Sequence, residues 1–106
     1  MGGKDLEEAI VGRVMGAFPA ARRVVLFGSR AKGNASPESD YDVLVVTPTP
    51  LAPAARGAKL RTLLRGLGVA FDLVVVTPEE YERLRQWKST VVSHAVREGR
   101  ILHEAA

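Results

Sequence analysis

Cysteine is absent from all 106 residues, so neither a disulfide framework nor a thiolate metal site can belong to this molecule. Long apolar runs are missing too. No stretch approaches the roughly 20 residues that a membrane span requires, and the opening Met1 to Glu8 lacks the apolar segment of a signal peptide. The expectation is therefore a cytoplasmic protein with no membrane partner. Charge of one sign is not concentrated: the net charge is +3 and the pI about 9.7, yet the basic residues are scattered. That balance is compatible with contact to nucleotides without indicating direct nucleic-acid binding. Asn and Gln occur once each and arginine outnumbers lysine eleven to four, a bias that GC-rich coding explains more simply than a thermophilic source. Neither an internal repeat nor a low-complexity segment is evident. The length leaves room for one domain, residues 1–106, burying roughly two-thirds of its unfolded surface. A separate substrate-holding domain does not fit, so a partner is expected to complete the site.

What is present alternates between helical and extended patterns. Leu6, Ile10, Val14 and Phe18 recur at four-residue spacing and predict an amphipathic helix that Pro19 ends. Val24 to Phe27 is a short apolar run stopped by Gly28, hence a first strand, followed by what reads as a short helix. Gly33 to Ser39 is dense in turn formers and reads as a loop beside the site. Asp40 to Thr47 is a second strand, halted by Pro48 and Pro50. From Pro53 to Leu67, the leucines at 60, 63, 64 and 67 form one helical stripe with Arg61 and Arg65 on a solvated face, and Gly68 is the expected terminator. Val69 to Val76 gives a third strand. Thr77-Pro78-Glu79-Glu80 is a capping box with a first-turn proline, so a helix begins there, its stripe continuing through Tyr81, Leu84 and Trp87. A last helix through Val91, Val92, Ala95 and Val96 is capped by Gly99, and Arg100 to His103 closes the chain as an edge strand.

Chemistry concentrates between Phe27 and Val46. Asp40 and Asp42 are two residues apart at the head of an apolar, β-branched run, so both face one side of a strand. Like charges so placed repel, and Asp is depleted in strands, so the pair makes sense with a cation between its members. Mg2+ suits this donor set best. Upstream, the turn at Gly28-Ser29 offers backbone N–H groups and a hydroxyl to a phosphate. A further acid, Asp72, is embedded in Phe71-Asp72-Leu73-Val74-Val75-Val76. The helix between the second and third strands predicts parallel pairing, which brings Asp40, Asp42 and Asp72 side by side. Antiparallel pairing of the first strand would return Ser29 to the same edge.

Gly28-Ser29, ten intervening residues, then Asp40-Tyr41-Asp42 and the later strand-borne Asp72 together resemble the signature of the DNA polymerase β-like nucleotidyltransferase superfamily. The short chain is similar to its minimal nucleotidyltransferase (MNT) branch, and the resemblance runs nearly to the final helix, glycine and strand. It implies an α/β (α+β) fold with a polymerase β-like palm, a mixed four-stranded sheet covered by helices. It implies a Mg2+-dependent, two-metal transfer of a nucleoside monophosphate, most simply AMP from ATP, to an acceptor hydroxyl. Asp40 and Asp42 would bind both metals and Asp72 the one that activates the acceptor, with Asp72 also able to take its proton. Gly28 and Ser29 would hold the terminal phosphates of the nucleoside triphosphate, and Arg30 or Lys32 would neutralise pyrophosphate. Minimal members commonly pair with a helical HEPN protein in toxin–antitoxin systems, some modifying it on a tyrosine, so a HEPN-type partner is expected here. The alternatives are a contact-only antitoxin module and transfer to a small molecule such as an aminoglycoside. Acceptor, base preference and homo-oligomerisation stay open.

Each assignment has a plainer counterpart. An isolated Asp-x-Asp is more often a turn-capping pair, and only the spacing and the third acid favour metal. Ser29 can simply cap a helix, and Arg30 and Lys32 can be a solvated turn. His94 and His103 have no acid at ligand spacing and read as surface or helix-end residues. Tyr81 and Trp87 read as packing residues rather than a base-stacking platform.

Overall fold

The computed structural model describes residues 3–32 and 40–105; the loop expected over 33–39 lies outside them. The order of elements is α1 (Gly3–Ala17), β1 (Arg23–Phe27), α2 (Ser29–Lys32), β2 (Tyr41–Val46), α3 (Pro53–Leu64), β3 (Phe71–Val76), α4 (Pro78–Leu84), α5 (Val91–Glu98) and β4 (Arg100–Glu104). The four strands form one mixed sheet in the order β3-β2-β1-β4. β1 is antiparallel to both β2 and β4, whereas β2 and β3, joined through α3, are parallel. This is the mixed, helix-covered α+β sheet that the sequence predicts. Among the described residues no helix is long and apolar enough to cross a membrane.

Side chains alternate across a strand, so the sheet has two distinct faces. Val24, Leu26, Tyr41, Val43, Val45 and Val75 join Leu6, Ile10 and Val14 of α1 and Leu60 and Leu64 of α3 in one core. Val25, Phe27, Leu44, Val46 and Val76 join Tyr81, Val92 and Ala95 in a smaller one beneath α4 and α5. Asp42 and Asp72 have the parity of this second face. α4 begins as expected: Thr77 accepts from the Glu80 N–H at 3.2 Å while the Glu80 carboxylate accepts from the Thr77 N–H at 2.9 Å.

Several boundaries differ from the sequence reading, each for a local reason. β2 begins at Tyr41, which leaves Asp40 immediately before the strand. α3 stops at Leu64, short of the expected Leu67, because Arg65 turns extended and Gly66 and Gly68 both adopt left-handed φ, +88° and +79°. The Arg13 side chain of α1 donates to the freed carbonyl of Leu63 at 2.8 Å, and Leu67 packs from outside the helix. α4 ends at Leu84, so Trp87 is not a packing residue; it is 64% exposed. In α5 only Val92 and Ala95 of the expected apolar four are buried, while Val91 and Val96 face outward. Gly99 does follow α5, but with φ −80° it is no left-handed cap. Its lack of a side chain matters for another reason: a Cβ there would overlap the Ala95 carbonyl oxygen and sit 2.6 Å from Val25 Cγ1. His94, expected without an acidic partner, pairs with Glu98 at 2.6 Å, one helical turn on.

One buried charge escaped the sequence reading. Arg56 is 6% exposed and donates to Glu80 Oε1 at 2.7 Å and to the carbonyls of Leu51 at 2.8 Å and Val75 at 3.3 Å. It lies four residues before Leu60, on the helix's apolar stripe, and that position was its signal. A guanidinium can be buried there because its donors meet fixed acceptors.

Candidate functional site

The site grows from the ends of three strands. In the parallel ladder Asp42 stands directly opposite Asp72, and in the antiparallel ladder Asp42 stands opposite Phe27, the residue before Gly28. Gly28 has φ +72°, and any Cβ on it would overlap Asp42 Oδ2 and lie 3.1 Å from Cγ. Glycine is therefore required twice over, by the backbone turn and by the carboxylate pressed against it. The turn is closed by the Ala31 N–H donating to the Gly28 carbonyl at 3.1 Å.

The carboxylates remain unequal. Asp40 and Asp72 are exposed and Asp42 is half-buried. Burial raises the Asp42 carboxyl above its ordinary range, and the negative charges of Asp72 and then Asp40 raise it further. All three acids therefore share one electrostatic neighbourhood, as the topology predicts. They are not a closed cage, however: among the described residues no three acidic or histidine side chains are grouped tightly enough to hold a metal by themselves.

The other expected ligands are distributed as follows. Ser29 opens α2 and Lys32 closes it. The Arg30 guanidinium carbon lies 4.5 Å from the centroid of the Tyr41 ring, which packs in turn against Phe71 with centroids 6.0 Å apart. Arg30 thus stacks on the residue between Asp40 and Asp42, whose ring lies on the sheet face opposite Asp42. Missed altogether was a concavity formed by Phe27 and the Lys88 to His94 segment. Its only sequence signal was a cluster of polar residues at a predicted helix break.

A mixed sheet with carboxylates at the adjoining ends of parallel strands, next to a glycine turn, defines a candidate group-transfer site on a nucleotidyltransferase-type palm. Residues 13–103 match the model of the nucleotidyltransferase domain, and the chain belongs to that family. It is a nucleotidyltransferase of the minimal kind. One similar solved structure is a toxin–antitoxin complex with AMP-PNP, at 26% identity and TM-score 0.71 over 93% of this chain and 73% of the other. A Sulfolobus solfataricus protein assigned as a nucleotidyltransferase is 30% identical, TM-score 0.59, over 76% of this chain and 71% of the other. The fold is also shared with a complex of tri-AMPylated Shewanella oneidensis HEPN toxin and MNT antitoxin, at 21% identity and TM-score 0.62 over 94% and 71%. Among curated proteins none matches this sequence.

Proposed function

We propose that this chain, read as a single nucleotidyltransferase domain, transfers AMP from ATP to a hydroxyl group of a HEPN-type protein partner with Mg2+ as cofactor. The observation that carries the reading is the Asp42–Asp72 register, with Asp40 close enough to help raise the Asp42 carboxyl. A carboxylate raised by the negative charge of its neighbours is relieved by a cation placed among them. The donor set is all hard oxygen, and a Mg2+ ion that keeps several waters and takes phosphate oxygens needs no closed protein cage. The residues present therefore fit a hydrated Mg2+ completed by substrate. Support for the partner comes from the similar toxin–antitoxin complexes, one holding AMP-PNP and one an AMPylated HEPN toxin.

In this reading Asp40 and Asp42 would hold both metals and Asp72 the one that serves the acceptor hydroxyl. Bound Mg2+ supplies positive charge to the attacking and leaving oxygens. The acceptor oxygen forms a bond to the α-phosphorus, the α–β anhydride bond breaks, and pyrophosphate leaves. Asp72 takes the hydroxyl proton. The Gly28-Ser29 turn receives the terminal phosphates, with Arg30 and Lys32 as cations for pyrophosphate. Asp42 is held against Gly28, so its carboxylate would have little orientational freedom left to lose on holding Mg2+.

The test is the intact mass of the HEPN-type partner after incubation with this protein, ATP and Mg2+. Increments of one or more AMP units are expected, and Asp72→Asn should abolish them without preventing complex formation. A partner neutralised equally well by both proteins, with no mass change at any nucleotide, would sink transfer and leave a contact-only module.

A further inference from the structure

Phe27, Lys88, Ser89, Thr90, Val91 and His94 line a shallow, open concavity of about 280 Å³ where the turn into α5 crosses the end of β1. Phe27 pairs with Asp42, so both side chains leave the same face of the sheet. The next residue is Gly28, against which the Asp42 carboxylate lies. The concavity therefore adjoins the acids on the β1 side, while Asp72 flanks them on the β3 side. Donor and acceptor must approach the α-phosphorus from different sides. With Asp72 serving the acceptor, the β1 side belongs to the donor.

The walls narrow the choice further. They are mostly carbon, with Phe27 at the floor and Val91 presenting half its surface, which makes a poor host for a triphosphate tail. Lys88, Ser89 and His94 bring hydrogen-bonding groups to the rim. His94 is steadied by Glu98 at 2.6 Å, whereas the Thr90 hydroxyl is committed to the fold, donating to the Leu84 carbonyl and accepting from the Ser93 N–H. The volume is at the low end for small-molecule sites, enough for one ring system and not for a whole nucleotide.

We propose that this concavity holds the base of the donor nucleotide, its plane against Phe27 and Val91 and its edge facing Lys88, Ser89 and His94. The inference rests on the nucleotidyl-transfer reading above and adds the determinant of base recognition. Packing a base on such a surface strengthens binding roughly tenfold or more.

Calorimetry with ATP and with inorganic tripolyphosphate, each with Mg2+, tests it. The parent protein should bind ATP at least about tenfold more tightly than tripolyphosphate, and Val91→Gln should erase roughly that margin by weakening ATP alone. Val91 is exposed at the start of α5, so this substitution leaves the core intact, and an unchanged melting temperature verifies it. Equal affinity of the parent for both ligands overturns the base subsite. So does a Val91→Gln protein that weakens both alike, which marks a phosphate pocket, or weakens neither. None of these results touches the mass increments on the partner, so the pocket and the transfer reading fail separately. A parent that binds neither ligand overturns both.

Discussion

The two faces of the sheet are built from alternate residues of the same strands, yet they end differently. On the face beneath α1 and α3, β2 contributes Tyr41, Val43 and Val45, buried to the first residue of the strand. On the face beneath α4 and α5 it contributes Asp42, Leu44 and Val46, and the acid stands where its neighbour offers an aromatic ring. β3 repeats the pattern, with Phe71 packed against the first core and Asp72 exposed on the second face. α4 ends at Leu84 and α5 lies over β1, so on β3 burial of the second face increases only toward the far end, whereas on β2 it is complete from Leu44 onward. The first face carries the larger core. The second carries a smaller one and is left open where its acids lie, at some cost in repulsion between them.

The widest separation between the faces should come from Asp42→Asn. Nucleotidyl transfer is expected to fall by roughly a hundredfold to a thousandfold or more, as when a charge-stabilising group at a reacting centre is lost. Without metal the variant should melt no lower than the parent, because a carboxylate disfavoured by burial and by Asp72 has been neutralised. Retained transfer would remove Asp42 from the catalytic set.

On the closed face, Leu60→Ala should cost about 3 kcal/mol, since Leu60 is fully buried. Denaturant unfolding would measure that loss, and transfer per folded molecule should hold. A variant that keeps its stability but loses activity would erase the division between the faces.

Gly28→Ala joins both regions. The left-handed φ and the overlap with Asp42 should together cost about 1–3 kcal/mol, and Mg2+-supported ATP binding should weaken because the carboxylate must move. Unchanged binding by calorimetry would show that the contact is incidental.

Smaller effects are expected from ion pairs remote from the acids. The Arg56 guanidinium and the Thr77 N–H hold the Glu80 carboxyl below its ordinary value of 4.5, so the stability it contributes is present above that pH and is lost as pH falls through the lowered value. The parent's melting temperature should therefore drop more steeply than that of Glu80→Gln below about pH 4.5. Parallel acid profiles would show that Glu80 contributes no such linkage. Smallest of all, Arg100→Ala breaks the two bonds of 2.8 and 2.6 Å from Arg100 to Glu7, a partly exposed pair worth about 0–1 kcal/mol. A larger loss of stability would mean that this pair does more to fasten β4 to α1 than partial exposure implies.

Much of this was legible because it depends on near neighbours in the chain. The capping box at Thr77, the apolar stripe of α1 and the β-branched runs of β1 to β3 are local patterns. The order of elements then dictated parallel β2 and β3, hence Asp42 beside Asp72. Even the need for glycine at position 28 had a local sign in the abrupt end of an apolar run.

What tertiary structure alone decided depends on groups distant in sequence. Arg56 can be buried only because Glu80 and the Val75 carbonyl come to meet it. Gly99 is required by the Ala95 carbonyl and by Val25 and Leu26 of β1 packed against it, not by the left-handed turn its place after a helix suggested. Val91 and Trp87 fit an apolar stripe, but α4 stops before the second and α5 turns the first outward. Hydrophobic periodicity records which side of a helix is apolar. It carries no information on whether a neighbour arrives to cover that side, and here the uncovered residues include one wall of the concavity beside Phe27.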